Sequence, residues 1–276
     1  MTTSAQAAIC KGGEAPFAIE AVTLDEPRAD EVLVRIHACG ICHTDMAARD
    51  GQLPTPLPMV LGHEGAGVVE KVGSEVTHVK PGDRVLMSFN SCGTCPSCEV
   101  DKPTYCYNFV PENWIGTRPD GSHTLHRDGE GVNANFFGQS SFATHAIGHA
   151  RNVVKVPESA AHVPLSTLAP LGCGFMTGAG AVLRSMKVRA GMPIAVFGTG
   201  AVGLGAIMAA KIAGANPIIA VDIHDNRLAL ARELGATHTI NGKTSNAEEE
   251  IRKLCPQGLG YAFDTTGLKA IIESAA

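Results

Sequence analysis

Up to about residue 90 the apolar positions come in short runs broken by Gly and Pro, the pattern of a β-rich region rather than a repeat array. Glu31-Val32-Leu33-Val34-Arg35-Ile36 predicts a half-buried strand, and Gly67-Val68-Val69-Glu70-Lys71-Val72 predicts another. Lys80-Pro81-Gly82-Asp83-Arg84-Val85 predicts a turn entering a further strand, because Pro-Gly is a strong turn signal. Pro54, Pro56 and Pro58 break the segment before His63 and predict a loop. Residues 107–138, rich in Asn, Gly and Asp and holding the single tryptophan, Trp114, predict a long surface or pocket-rim loop. Strand-like alternation returns over residues 142–156. A helix is expected from near Ser166 towards Leu183, kinked at Pro170 and its glycines.

From Gly191 the period changes. Ile194-Ala195-Val196-Phe197 is a short apolar strand, and a helix rich in Ala and Met is expected from there to about Ala213. A second strand runs from Ile218 to Val221 and ends at Asp222. A helix follows from Asn226 to Leu234, closed by Gly235. A third strand covers Thr237 to Ile240, and a fourth, after another helix, covers Tyr261 to Asp264. Strands alternating with helices mean a parallel sheet with crossover helices, so the fold class is α/β with a β-rich first domain. The expected limits are 1–158 for that domain and 159–276 for a linker helix and cofactor domain.

Composition narrows the partners. The chain has 276 residues, 45% hydrophobic and 18% charged, with a formal charge of −5 and no long run of Lys and Arg. A nucleic-acid or anionic-membrane surface is therefore not expected. No secretory signal is visible over residues 1–13. The most apolar stretch, 202–215, is too short to span a bilayer and contains Lys211. Nine cysteines, clustered rather than spread as a disulfide framework, point to metal or catalysis in a cytoplasmic protein.

Two clusters carry that chemistry. Cys92, Cys95, Cys98 and Cys106 lie within fifteen residues, in a lobe over about residues 90–108. Four thiolates so close suit a closed structural zinc site. An iron–sulfur cluster uses similar spacings, and packed reduced thiols are the plainer alternative. The second cluster is spread along the chain: Cys42 in Cys42-His43-Thr44-Asp45, His63 in Gly62-His63-Glu64-Gly65-Ala66-Gly67, and Cys173 in Leu171-Gly172-Cys173-Gly174. Two thiolates and an imidazole leave a tetrahedral zinc one open position, the arrangement of a catalytic site. Cys39 with Cys42 also makes a C-x2-C pair, and His63 taken alone, from spacing, is better read as a satisfied core histidine.

Gly198-Thr199-Gly200-Ala201-Val202-Gly203 follows a strand and opens a helix, and Asp222 ends the next strand nineteen residues after Gly203. That context is the dinucleotide fingerprint. The glycines admit the pyrophosphate to a helix N-terminus. Asp222 accepts from ribose hydroxyls and repels a 2′-phosphate, which favours NAD over NADP; Arg227 lies close enough in sequence to keep the phosphate reading open.

With these motifs in hand the chain resembles a zinc-dependent medium-chain alcohol dehydrogenase, and within that family the bacterial aryl-alcohol dehydrogenases. Gly40-Ile41-Cys42-His43-Thr44-Asp45, the Gly62–Gly67 run, the four-cysteine lobe, residues 172–178 and the glycine fingerprint carry the likeness. Pro56-Leu57-Pro58-Met59 and Phe137-Gly138-Gln139-Ser140-Ser141-Phe142-Ala143-Thr144 carry the narrower one. The resemblance implies a GroES-like catalytic domain followed by a Rossmann domain. It implies a catalytic zinc on Cys42, His63 and Cys173, with Asp45 and Glu64 as supporting carboxylates, and a second zinc on the four-cysteine lobe. Thr44 takes the alcohol proton, His43 meets the pyrophosphate, and Thr177 packs on the nicotinamide. Ser88 leaves room for an aromatic ring, and Phe142 is a pocket wall.

Reversible oxidation of a primary, aryl-type alcohol to its aldehyde with NAD is the implied activity, in a dimer or tetramer of the full-length chain. Two departures stand out. Ala47 occupies the place where the best-known members have a histidine that ends the proton relay. The family chain also continues beyond residue 276. Two strands of its cofactor sheet and a closing piece of the catalytic domain are missing here, so the chain is expected to be C-terminally truncated, with the fourth strand at an exposed edge. Oxidation of polyols or S-hydroxymethyl thiol adducts, and a non-catalytic NAD-binding role, are the alternatives.

Overall fold

The computed structural model describes residues 2–13 and 15–275, so Met1 and Ala276, the outer limits of the expected domains, lie outside the described residues. Two compact units divide between Cys173 and Gly174. The expected division after residue 158 differs from this by residues 159–173. That segment packs on the first unit's strands, and at Gly172 a β-carbon would run into the Met87 carbonyl oxygen.

Among the described residues the first unit has ten strands: β1 Thr3–Cys10, β2 Ala18–Leu24, β3 Glu31–Gly40, β4 Met59–Val60, β5 Glu64–Val72, β6 Arg84–Met87, β7 Leu125–Arg127, β8 Glu130–Val132, β9 His145–His149 and β10 Val153–Lys155. They form two five-stranded sheets, ordered β4-β1-β2-β7-β8 and β10-β6-β5-β3-β9. Leu24 of the first sheet packs on Leu33 and Ile147 of the second. The other face of the second sheet covers Val32, Val34, Val69, Val85 and Met87. The β3 segment, expected to be half-buried, is instead covered on both faces at Val32, Leu33 and Val34, because its sheet lies between two apolar layers. Its far end, past two register shifts against β5, delivers the chain to Cys42.

Residues 107–138 are not the featureless loop that composition suggests. They contain a helix, Phe109–Asn113, and the β7–β8 hairpin. The hairpin turns through Asp128 and Gly129, both at positive φ (52° and 84°), the geometry that a two-residue Asp-Gly turn favours. Leu125 and Val132 beside it are buried. The helix expected near residues 166–183 is broken at Pro170 into Leu165–Leu168 and a 3-10 turn, Ala169–Gly172, and resumes in the second unit as Gly174–Gly180.

The second unit is a parallel sheet, β13-β12-β11-β14, of β11 Ile194–Phe197, β12 Ile218–Asp222, β13 His238–Asn241 and β14 Tyr261–Asp264. Strands β11 and β12 are buried throughout, as near-continuous apolar runs in parallel sheets are. Helix Ala201–Ile212 covers one face with Val182, Leu228 and Ala231; Ile251, Cys255 and Ile271 cover the other. The strand β14 is the last of the described sheet. Among the described residues no single helix is long and apolar enough to cross a membrane.

Candidate functional site

Cys42 caps helix His43–Arg49 from an extended backbone (φ −102°, ψ 154°). Three residues on, Asp45 Oδ2 accepts the Cys42 N–H at 3.0 Å, while Oδ1 accepts the Gly62 N–H and the His63 Nδ1–H, each at 3.0 Å. One carboxylate, 0% exposed, thus closes a helix end, ties in a loop and aims an imidazole. With Nδ1 committed to Asp45, Nε2 is left for a proton or a metal. That atom is buried and has no hydrogen-bond partner among the described residues.

The ring itself is clamped. Phe137 stacks on it with centroids 4.5 Å apart, and Phe136 meets it edge-on at 5.6 Å. Around Nε2 stand Cys42, Glu64 and Cys173, all four ligand atoms within 4.8 Å of one another. A β-carbon at Gly40 would collide with the Glu64 carboxylate, so glycine there is the condition for Glu64 to lie where it does.

Electrostatics show what the cluster is short of. The Cys173 thiol, donating to Cys42, holds Cys42 far below the ordinary thiol range against the cost of its burial, with His63 and the Thr44 N–H and hydroxyl adding to the effect. Cys173 is driven up in return, first by Cys42 and then by burial. Burial works against a charged His63, yet Asp45 and Cys42 raise its pKa to about 9. The two thiols thus oppose each other's ionisation, one pushed down as the other is pushed up. A divalent cation at Nε2 would let both sulfurs ionise, and the donor set of two sulfurs and one nitrogen is a zinc set. The residues fit the metal.

Thr44 Oγ1 lies 3.6 Å from Cys42 Sγ, His43 is exposed at the first position of the helix, and Ala47 offers no proton acceptor. Ser88 is not merely small: its hydroxyl donates to the Gly172 carbonyl at 2.7 Å. Phe142 packs edge-on against Phe17 at 6.0 Å and against Gly62, where φ is +90° and a β-carbon would strike the Phe142 ring and backbone. Cys39 stands apart, half-buried beside the Gly40 carbonyl, its thiol pushed up to about 12 by burial.

The four cysteines of the lobe also converge. Cys92 Sγ lies 3.5 Å from Cys106 Sγ and 4.0 Å from Cys98 Sγ, and Cys95 Sγ lies 3.5 Å from Cys98 Sγ. The N–H groups of Cys92 and Tyr107 point at the sulfurs of Cys106 and Cys95 (3.3 and 3.4 Å). Four sulfurs in mutual contact with backbone N–H donors around them suit a closed tetrathiolate metal.

In the second unit the glycine turn joins β11 to helix Ala201–Ile212. Gly198 has φ +86°, and a β-carbon there would meet Thr265 Oγ1 at 2.5 Å. A β-carbon at Gly203 would enter the Gly198 carbonyl oxygen. At Gly200, which caps the helix, a β-carbon would meet nothing within 4 Å: that space lies open before the first N–H groups of the helix, with Ala201 and Val202 leading it. Asp222 Oδ2 accepts the Thr199 N–H and hydroxyl, both at 2.8 Å, and Oδ1 accepts the N–H groups of Ile223 and His224 at 2.7 and 3.0 Å. Burial opposes its charge, but these donors keep its pKa below the usual carboxylate range. All four acceptor positions are taken, so a ribose hydroxyl would share one of them. Arg227 and Thr177 are exposed, on helices Asp225–Leu234 and Gly174–Gly180. The second of these helices lies tight on Ala201–Ile212, with Gly178 facing the Val202 carbonyl.

Two family models match the chain. "Alcohol dehydrogenase GroES-like domain" covers residues 28–158, and "Zinc-binding dehydrogenase" covers residues 201–276. A protein of Castellaniella defragrans named geraniol dehydrogenase is 45% identical over 274 residues, which is 99% of this chain and 72% of that protein. The chain belongs to the zinc-dependent medium-chain alcohol dehydrogenase family. Among solved structures, an alcohol dehydrogenase zinc-binding domain protein from Burkholderia ambifaria superposes with a TM-score of 0.95 at 48% identity, covering 100% of this chain and 74% of that one. Benzyl alcohol dehydrogenase from Acinetobacter calcoaceticus gives 0.93 at 43%, over 99% and 73%. Membership bears out the GroES-like and Rossmann-type domains expected from the motifs, and makes the chain a zinc- and nicotinamide-dependent alcohol dehydrogenase acting between small alcohols and aldehydes.

Reading the motifs of this dehydrogenase missed two groups at the metal cluster: the Gln139 amide and the Ser88 hydroxyl as a tether. The available signal was a glutamine set in a run of Phe, Gly and Ser, where a side chain with two donors and two acceptors is costly unless every one is used.

Proposed function

We propose that this dehydrogenase uses NAD to oxidise bulky unsaturated primary alcohols, aryl or allylic, reversibly to their aldehydes, and that it holds two zinc ions per chain. The observation that carries the reading is the buried, unpartnered His63 Nε2 with the Cys42 and Cys173 sulfurs and a Glu64 oxygen gathered around it, all four ligand atoms within 4.8 Å of one another.

Cys42, His63 and Cys173 hold the catalytic zinc; Cys92, Cys95, Cys98 and Cys106 hold the structural one. Zinc supplies a Lewis acid that lowers the pKa of the alcohol hydroxyl, and nicotinamide accepts the hydride. Asp45 keeps the His63 ring turned and its Nδ1 proton in place. Glu64, 5% exposed beside the ligand atoms, adds negative charge that favours a cation. Thr44 receives the alcohol proton. With Ala47 carrying no base, the proton leaves through the cofactor ribose, water or His43. Gly198, Gly200 and Gly203 admit the pyrophosphate, Thr177 packs on the nicotinamide, and the full negative charge of Asp222 disfavours a 2′-phosphate. The names of the relatives, geraniol and benzyl alcohol dehydrogenase, support the unsaturated alcohol class.

Steady-state kinetics on the enzyme test this. Benzyl alcohol and geraniol are expected to exceed ethanol in kcat/KM by on the order of 10²-fold, and NAD to exceed NADP by a similar factor. Equal use of ethanol sinks the substrate class. A preference for polyols or S-hydroxymethyl thiols selects the alternative, and a preference for NADP points to Arg227. Replacing Thr44 by Val is expected to lower kcat by about 10²–10⁴-fold with metal content unchanged. A Thr44→Val enzyme running at close to the parent rate removes the hydroxyl from the proton path.

A further inference from the structure

The run Phe137–Phe142, singled out in the sequence only as a likeness, wraps the back of the metal cluster. Phe137 sits at positive φ (52°), an uncommon conformation for an aromatic residue, and stacks its ring on His63. Ser140, also at positive φ (53°), accepts the Phe136 N–H at 2.9 Å and donates to the Val60 carbonyl at 2.5 Å. Between them Gln139, 1% exposed, uses both ends of its amide. Its Nε2 donates to the His63 carbonyl and to the Ser88 carbonyl, each at 2.9 Å. Its Oε1 accepts the Gly65 N–H at 3.1 Å and the Ser141 hydroxyl at 2.6 Å. Ser88 in turn donates its hydroxyl to the Gly172 carbonyl, one residue before Cys173.

These bonds form a bridge. His63 and Gly65 belong to the strand-β5 side of the site, and Cys173 belongs to a segment more than a hundred residues later. Among the described residues no backbone ladder joins the two segments, and β5 pairs with β3 and β6. The Gln139 amide, and through it Ser88, spans from the main chain of one ligand to the main chain beside another. A β-carbon at Gly65 would collide with Ser141 Oγ and Gln139 Oε1, so the strand is glycine where the amide approaches it.

We propose that Gln139 is a positioning residue of the metal centre: with Ser88 it sets the separation of His63 from Cys173, while Phe137 sets the tilt of the imidazole. This rests on the reading that Cys42, His63 and Cys173 ligate the catalytic metal. Bonds of this kind, behind the ligands, commonly change metal affinity by about 10–100-fold. Methionine at position 139 keeps the length of the side chain and removes all four hydrogen bonds. Alanine at position 88 removes the link to the Gly172 carbonyl and leaves the Gln139 bonds in place.

The test loads the full chain with Co(II) in place of zinc, at both sites, and reads the visible ligand-field bands and the rate of metal loss to a chelator. Expected of Gln139→Met are shifted bands and a roughly 10–100-fold faster loss of one of the two metals, with the tetrathiolate cobalt unchanged. Ser88→Ala is expected to shift the same bands with a smaller gain in rate. A folded Gln139→Met protein whose bands and release rate match the parent overturns the proposal. If Gln139→Met does not fold, Ser88→Ala decides it: unchanged bands overturn the bridge, shifted bands support it. Failure of the underlying ligand assignment looks different, because the parent protein would then take up one cobalt per chain, with tetrathiolate bands alone.

Discussion

Replacing Cys42 by alanine is expected to abolish alcohol oxidation, by at least ~10³-fold in kcat/KM, while the chain stays folded and keeps one metal of two. The magnitude follows from the loss of Lewis-acid assistance, which is worth several kcal/mol, each ~1.4 kcal/mol being tenfold in rate. Cys42 is the sulfur whose pKa is lowered, by the Cys173 thiol first, and the Thr44 N–H points at it from 3.5 Å. Removing it leaves His63 and Cys173 with only the Glu64 carboxylate beside them. Losing one of two thiolates weakens the hold on zinc, because a carboxylate is a harder and poorer match for zinc than a thiolate. The cost to the fold is small by comparison. Asp45 still closes the helix through the residue-42 N–H and still holds Gly62 and His63. Metal analysis, kinetics and thermal unfolding on one preparation check all three parts. A Cys42→Ala protein that keeps both metals, or turns over within about tenfold of the parent, would falsify the ligand assignment.

The largest expected loss of stability lies away from the metal, at Arg118. Arg118 is 4% exposed, and its guanidinium grips Glu31, itself 7% exposed, through Nε at 2.6 Å and Nη2 at 2.9 Å. Nη1 donates to Asp25 at 3.0 Å and to the His123 carbonyl at 2.7 Å. Burial works against the charge, but the carboxylates of Glu31 and Asp25 raise its pKa further above the ordinary arginine value. Alanine at 118 strips Glu31 of its cation while leaving the carboxylate buried, a change that costs about 3–5 kcal/mol. At roughly 2–4 °C per kcal/mol for a domain of this size, the melting temperature should fall by about 6–20 °C. Asp25 is less affected because His126 also donates to it, at 3.0 Å. The double variant Arg118→Met, Glu31→Leu removes both charges and is expected to recover most of the loss, since a buried pair is often no better than a packed apolar one. A single variant that melts with the parent, or a double variant worse than the single, contradicts this account.

Arg118 also shows where reading by composition stopped. It sits in the Asn- and Gly-rich stretch expected to be a loop, and its partners lie 87 and 93 residues earlier. Nothing local marks it, because an ion pair from a loop to residues 87 and 93 positions away has no period in the sequence. The β7–β8 hairpin in the same stretch did carry a local mark, Asp128-Gly129, but its strands of three residues each are too short for alternation to show.

What the sequence alone determined is the part written in short range. The period change near Gly191, the glycine turn with Asp222 nineteen residues on, and four cysteines within fifteen residues name a parallel sheet with crossover helices, a glycine turn opening a helix and a cluster of thiols. Each depends on backbone geometry or ligand count within one segment, so spacing is enough to express it. Tertiary structure alone decided how residues 42, 63 and 173 come within ligand distance, that Asp45 turns the His63 ring, and that Gln139 and Ser88 join the segments behind it. Those facts follow from which sheets pack together and how long-separated strands pair. A side chain that satisfies carbonyls from distant segments leaves no trace in the spacing of its neighbours.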